Sequence, residues 1–364
     1  MHILEMVLGV FAIIGALDRI TGNHLKLGEE FEKGIESVGS LALAMVGMTV
    51  LAPTLSKVLI PIFSPFSRAF HIDPSFISGF LANDMGGAAI GRELATSAVW
   101  GGLHGLIVAA MLGVTISFTI PVPLKTTDKK YHKDILSGIL CGIATMPIGC
   151  IVGGLIIGCE FLPLLLNLLP VIVISGVVCA GLILNAELSR KVFAIFGKFV
   201  LIVITIGLGA GVFDFLTGIK LIPYMDSIEN AFGSIWGIAV TLSGVFPFIA
   251  VISKLLKKPL GMLGNVLKIN DTSIVGLISS LSNSIPMFAM IDKMNSKGIV
   301  MNMAFAVSAS FVFGDHLAFT MAFDDRYLVG MIVGKLVGGF LALVAAHIFY
   351  NFSKEKANKE SLAA

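Results

Sequence analysis

ILSGILCGIATMPIGCIVGGLIIG, residues 135–158, carries no charged side chain from end to end. As a helix rising about 1.5 Å per residue, a run of this length reaches across the roughly 30 Å of hydrocarbon in a bilayer. Ten further apolar runs flank it, at about 3–22, 37–63, 74–98, 99–122, 162–185, 192–218, 231–253, 271–292, 298–322 and 327–350. They do not alternate polar and apolar residues, which sets aside a transmembrane barrel. The whole chain agrees: 56% of its residues are hydrophobic, 13% are charged, and the mean hydropathy is +0.95. A soluble domain carries about 25% charged residues and could not cover itself with so few. Composition excludes a disordered chain, a disulfide-stapled secreted domain and a conventional soluble enzyme. The class predicted is all-α: a polytopic helical membrane protein.

Charge and cysteine usage narrow the partners. Lys+Arg 25 against Asp+Glu 23 leaves a net charge of +2, which gives no reason to expect nucleic acid. Cys141, Cys150, Cys159 and Cys179 lie in or beside apolar runs and lack metal-ligand spacing, so they read as small core residues. No metal and no cofactor is expected. Membrane lipid is the surrounding partner, and a homo-oligomer is left open. Glu5 stands where a signal peptide would need a base, so 3–22 reads as a retained first span.

Two of the runs are interrupted at mid-length. Residues 74–98 contain Asn83-Asp84-Met85-Gly86-Gly87, and 271–292 contain Ser282-Asn283-Ser284-Ile285-Pro286. Such breaks are tolerated in a membrane only where protein or water satisfies the freed backbone. They occupy equivalent places in an internal duplication. Gly15, Asp18, Thr21, Gly22 and Leu25 recur as Gly211, Asp214, Thr217, Gly218 and Leu221. Gly39, Ser40 and Pro53 recur as Gly233, Ser234 and Pro247, Lys57 as Lys254, and Ile72 and Gly79 as Ile269 and Gly276. Gly113, Phe118 and Thr119 recur as Gly314, Phe319 and Thr320.

Lysine placement orients the repeats. Lys125, Lys129, Lys130 and Lys133 place 123–134 in the cytoplasm, as Lys254, Lys257, Lys258 and Lys268 do for 254–270. Lys293, Lys297 and the tail lysines Lys354, Lys356 and Lys359 then also lie inside if 271–292 is a re-entrant hairpin. The same assumption for 74–98 gives nine crossings and two hairpins. It leaves Lys57 and Arg68 on the outer side, against the rule. The expected architecture is two five-element repeats, 1–158 and 192–350, the second inverted. Residues 159–191 hold a connector helix, and 351–364 form a polar cytoplasmic tail.

Inverted repeats with paired broken helices predict a transporter whose solute site lies where the hairpin tips meet. Asp84, at the first tip, either binds a cation or caps the second half-helix. Asn83, Ser282 and Asn283 either bind a hydroxylated solute or satisfy broken backbone. Glu93 either lines the site or lies near the hairpin's exit. Asp315 and His316 interrupt an apolar run. They are read as a site or proton relay, with a structural Asp–His hydrogen bond as the alternative. Trp100, Trp236 and Phe288 either form an aromatic wall for an ammonium group or sit at interfaces. Asp18 and Asp214 read as anchors or caps, and Pro53, Pro147 and Pro247 as kinks or helix ends. No HExxH, Walker A, GxSxG or CxxC pattern occurs, so no enzyme is expected.

LALAMVGMTVLAP (41–53), NDMGGAAIGRELA (83–95), MPIGCIVGGL (146–155), NSIPMF (283–288) and FAVSASFVFGDHLAF (305–319) resemble the ethanolamine permease family EutH over nearly the whole chain. The resemblance implies ethanolamine, a small cationic amino alcohol, as the substrate. It also implies passage across the bacterial inner membrane toward a cytosolic ammonia-lyase pathway. The chain departs from the family pattern at Asn83, where Cys is familiar, and at Ser284, where Asn is familiar. Its loops near 160 and 226 are shorter. From the residues alone the reading is a transporter for a small polar, cationic solute. An ion-coupled symporter for a nucleoside or amino acid, and a membrane sensor or scaffold, remain alternatives.

Overall fold

The structure, a computed structural model, describes the backbone of residues 2–81 and 84–363. It describes their side chains except at 2, 84, 234, 256–266 and 355–363. Every regular element among the described residues is helical. The chain opens with α1 (His2–Ile20) and α2 (Leu27–Phe70). Asp18 joins the two: its carboxylate accepts the amides of Leu25, Leu27 and Gly28 at 2.8–3.0 Å and so caps α2. Short turns follow, among them α3 (Ser78–Leu81) and α4 (Gly87–Leu94), then α5 (Ala98–Thr126) and α6 (His132–Ile156). Most of α5 is wound as a π-helix, over Leu103–Gly113 and Thr115–Thr119.

Helix α7 (Phe161–Thr217) bends at Asn185, whose φ of −155° and ψ of 86° leave the helical region. The Asn185 side chain accepts the Leu188 amide at 2.9 Å and starts the second limb. Next come α8 (Ile228–Leu267), α9 (Asp271–Ser282), α10 (Ser284–Phe288), α11 (Ser296–Ala309), α12 (Asp315–Asp324) and α13 (Leu328–Ala363). Six stretches among the described residues are long and apolar enough to cross a membrane. They are α2, α5, Lys129–Ile156 with α6, α7, Ile228–Leu255 in α8, and Asp315–Lys354 across α12 and α13.

One expectation changes. The run 298–322 is not one helix: it breaks at 310–314, between α11 and α12. Pro53 and Pro147, expected as kinks or helix ends, lie inside α2 and α6. The segment after 350 continues α13 as helix.

Two pairs of long helices pack antiparallel, α2 with α8 and α6 with α13. Along α2 and α8, Val50 accepts the Asp226 amide at 2.9 Å, and Leu25, near the start of α2, accepts from Lys254, far along α8. Helices α6 and α13 cross through glycines: Gly149 against Gly334 and Gly338, and Gly153 against Gly330. Small residues let membrane helices approach backbone to backbone. Two further contacts are reciprocal. A Cβ on Gly47 of α2 would lie 1.7 Å from the Ile204 carbonyl oxygen on the second limb of α7. A Cβ on Gly244 of α8 would lie 2.4 Å from the Leu8 carbonyl oxygen of α1. Gly47 thus seats the second limb of α7, and Gly244 seats α1.

Candidate functional site

Two backbone breaks face each other. Asn283 is extended (φ −154°), and its side chain accepts the Ile285 amide at 2.8 Å, ending α9 and starting α10. Opposite it, between α11 and α12, Phe311 takes a left-handed φ of +61°. Its amide donates to the Ser280 carbonyl at 2.9 Å, and the Phe313 amide donates to Leu281 at 2.8 Å. Ser284 donates to the Ser310 hydroxyl at 2.9 Å. Gly314 fits because it has no side chain: a Cβ there would meet the Ser282 carbonyl oxygen at 2.1 Å. Each break satisfies backbone groups that the other frees, as non-helical backbone in a membrane requires.

The consequence is a cavity of about 560 Å³ lined by Ser279, Ser282, Asn283, Pro286 and Asp315. Glu30, Lys33, Glu36, Ser37 and Ser40 of α2 and Phe246 of α8 complete it. Lys33 is paired with Glu30 at 2.6 Å. Glu36 has no ion pair among the described residues, so carboxylates exceed ammonium groups on these walls. Ser37 and Ser40 donate their hydroxyl hydrogens to the carbonyls of Gly34 and Ser37, and Ser279 donates to Gly276. Their oxygens remain as acceptors. Carboxylates with hydroxyl acceptors suit a small cation that donates hydrogen bonds, more than an anion.

Three predicted site residues, Ser282, Asn283 and Asp315, therefore meet in one cavity. The others do not line it. His316 is buried against the Phe311 ring at 5.5 Å. Phe288 packs on Phe118 at 5.7 Å and borders a different cavity, with Tyr131, Asp128 and Asp292. Glu93 is exposed on α4. Asn83 and the side chain of Asp84 lie outside the described residues. The aromatic wall does not form: Trp236 is exposed, and Trp100 stacks on His104.

Sequence reading missed the acidic start of α2, which lies between the apolar runs 3–22 and 37–63. It also passed over Lys335, a single cation within 327–350. Lys335 is fully buried and donates to the Ala110 carbonyl of the π-helical stretch of α5. Its lone charge inside a span was the available signal.

Both interrupted segments start and end at shared anchors. Asp73, before the first, accepts from the Thr96 amide at 2.9 Å and from the Thr96 hydroxyl. Asn270, before the second, donates to the Lys293 carbonyl at 2.7 Å, and Asn295 donates to Lys268 at 3.3 Å.

Residues 2–349 match the family described as "Ethanolamine utilisation protein, EutH". The chain is similar to the probable ethanolamine permease EutH of Listeria monocytogenes, 45% identical over 359 residues, which is 98% of this chain and 96% of that protein. It is 42% identical to the uncharacterized protein YxeR of Bacillus subtilis, over 93% of this chain and 92% of that one. It is 38% identical to the probable ethanolamine permease EutH of Escherichia coli, over 95% and 94%. No solved structure matches the chain.

Proposed function

We propose a function from the premise that the chain belongs to the EutH family of ethanolamine utilisation proteins. It is a permease that takes up ethanolamine across the bacterial inner membrane, without enzymatic activity. The observation that carries this reading is the cavity at the two facing breaks. Ethanolamine is an alkyl ammonium at neutral pH, like a lysine side chain. Moving it into low dielectric is costly unless an anion and hydrogen-bond acceptors replace its water. Asp315 and Glu36 supply the charge, and Ser37, Ser40 and Ser282 supply acceptors. The Asn283 amide takes the substrate hydroxyl. Asp84, Asn83, Glu93, His316 and Phe288 remain candidates for the path leading to or from this cavity.

The architecture that fits this function is nine crossings with two re-entrant hairpins, 74–98 and 271–292, in inverted repeats. The shared anchors at Asp73 and Thr96, and at Asn270 and Lys293, support the hairpins. The antiparallel packing of equivalent helices supports the inversion. Tilting one half against the other then opens the cavity to alternate sides. The tail after 350 is cytoplasmic on this arrangement.

Uptake of labelled ethanolamine into proteoliposomes tests the reading. The wild type takes it up, unlabelled ethanolamine competes, and a nucleoside does not. Asp315→Asn weakens apparent affinity about tenfold, as expected for losing a charged hydrogen-bond partner. No uptake by the wild type, or an unchanged affinity in a correctly inserted variant, overturns it.

A further inference from the structure

Asp128-Lys129-Lys130-Tyr131 and Asp324-Asp325-Arg326-Tyr327 share one pattern, Asp–x–cation–Tyr, 196 positions apart. The same offset separates Gly15 from Gly211. It also carries Gly138 and Gly142 of α6 onto Gly334 and Gly338 of α13. The backbone repeats with the sequence. Each pattern closes on a single 3-10 turn, Lys129–Tyr131 or Asp325–Tyr327. A long helix starts at the next residue, α6 at His132 and α13 at Leu328.

The side chains repeat as well. Asp128 pairs with Lys130 at 3.9 Å, and Asp324 pairs with Arg326 at 2.6 Å. Each cation stands over the ring of the tyrosine that follows it, Lys130 at 4.8 Å and Arg326 at 5.6 Å from the centroid. Exposed ion pairs add little stability. What these two do is hold a cation above a ring, and so aim the tyrosine.

Both tyrosines are aimed across the molecule. Tyr131, in the first half, donates to the Asp292 carbonyl at 3.4 Å. Tyr327, in the second half, donates to the Ala98 carbonyl at 2.7 Å. Each acceptor is the last residue of an interrupted run, 271–292 or 74–98. Each half therefore ties down the end of the other half's interrupted segment.

A cavity adjoins each tie, and the two are walled from matching positions. Ala88, Arg92 and Phe323 border the one at Tyr327, and Ile285, Ala289 and Val122 border the one at Tyr131. Ile285 and Ala289 follow Ala88 and Arg92 by 197 positions, as Gly276 follows Gly79. Phe323 follows Val122 by 201, as Phe319 follows Phe118.

The ties are not equally made. At 2.7 Å Tyr327 holds a full hydrogen bond, and its ring is buried in the space that a side chain on Gly102 would need. At 3.4 Å the bond of Tyr131 is stretched to its limit, and its ring is only half-buried. The cavity at the short tie measures about 300 Å³, and the cavity at the long tie about 420 Å³. One tie closed and its counterpart drawn out is what a molecule with two alternative packings shows in one of them.

We infer that Tyr131 and Tyr327 are crossed positioning residues, each holding the other half's interrupted segment, and that the two ties are made in turn. The crossing stands on the contacts alone. The alternation rests on the permease reading, in which one half tilts against the other. Hydrogen exchange of the full chain in lipid nanodiscs tests both without ethanolamine, so a failure here is distinct from a failure of uptake. Phenylalanine keeps each ring under its cation and removes only the hydroxyl. Tyr327→Phe lowers protection of 74–98 about fivefold, the scale of one hydrogen bond. It raises protection of 271–292, because molecules that leave the Tyr327 tie enter the state that makes the Tyr131 tie. In the double variant with Tyr131→Phe that rise disappears. Unchanged protection of 74–98, loosening confined to α13, no rise at 271–292, or a rise that survives in the double variant overturns the inference. Should Tyr327→Phe fail to insert, Tyr131→Phe decides: it lowers protection of 271–292 and not of 74–98, and any other pattern overturns the inference.

Discussion

Glu30 and Glu36 stand six residues apart on α2 and line one cavity, yet they are not equivalent there. Glu30 already holds Lys33 at 2.6 Å, whereas Glu36 has no cation among the described residues. An ammonium substrate gains more from Glu36. Titration calorimetry with ethanolamine should find Glu36→Gln weaker by about threefold, the scale of a partly solvated ion pair. Glu30→Gln should change affinity less, because Lys33 compensates for that charge in the free protein. Equal losses would mean that Lys33 does not shield its partner. Legibility at this scale followed contrast with the surroundings. Ser282, Asn283 and Asp315 interrupt apolar runs and stood out. Glu30, Glu36, Ser37 and Ser40 lie where the chain is already polar, so no local contrast marked them. Lys335 and His104 had the contrast and were passed over. Their roles depend on the Ala110 carbonyl and on Ser75, partners far away in sequence.

At the scale of elements, the two interrupted segments were readable because Gly, Pro and Asn punctuate them. The break between α11 and α12 was not. Only Gly314 punctuates it: Ser310-Phe311-Val312-Phe313 contains no proline or glycine, and a single glycine is tolerated in a helix. Its conformation comes from outside, through the carbonyls of Ser280 and Leu281. Tertiary pairing overrode propensity there, and a single chain read in order cannot display that. The segments themselves carry a labelling prediction. Single cysteines at His71 and Ser97 should react from one face of the membrane, and those at Lys268 and Lys293 from the opposite face. If either pair straddles the bilayer, that segment crosses it, and the inverted arrangement is wrong.

For the whole molecule, glycines marked an expected duplication in the sequence, but what those glycines do was not readable there. Gly39 and Gly233 match each other, and neither has a heavy atom within 4 Å of where a Cβ would stand. Gly47 and Gly244 are two of the positions where helix backbones touch. Alanine at Gly39 or Gly233 should leave thermal stability in detergent unchanged. Leucine at Gly47 or Gly244 should cost about 3 kcal/mol or more, the upper range for overpacking a filled site. Comparable losses at the two positions are expected, because each glycine seats a backbone carbonyl of a neighbouring helix. A tolerated Leu at either would mean that the α1–α8 and α7–α2 contacts are dispensable.

The seat of α1 on Gly244 bears on how the chain is made. Gly244 leaves the ribosome more than two hundred residues after Leu8. At roughly 5–20 residues per second that is a wait of about 10–50 s. On the proposed nine-crossing arrangement, α1 lies in the bilayer during that time without the helix that will hold it. Its sequence suits the interval: Ile3, Met6, Val10, Ile13, Leu17 and Ile20 form a continuous stripe of exposed apolar side chains at helical spacing. Lipid solvates that stripe before and after docking. Only the opposite edge, with Leu8 on it, exchanges lipid for protein when the second half arrives.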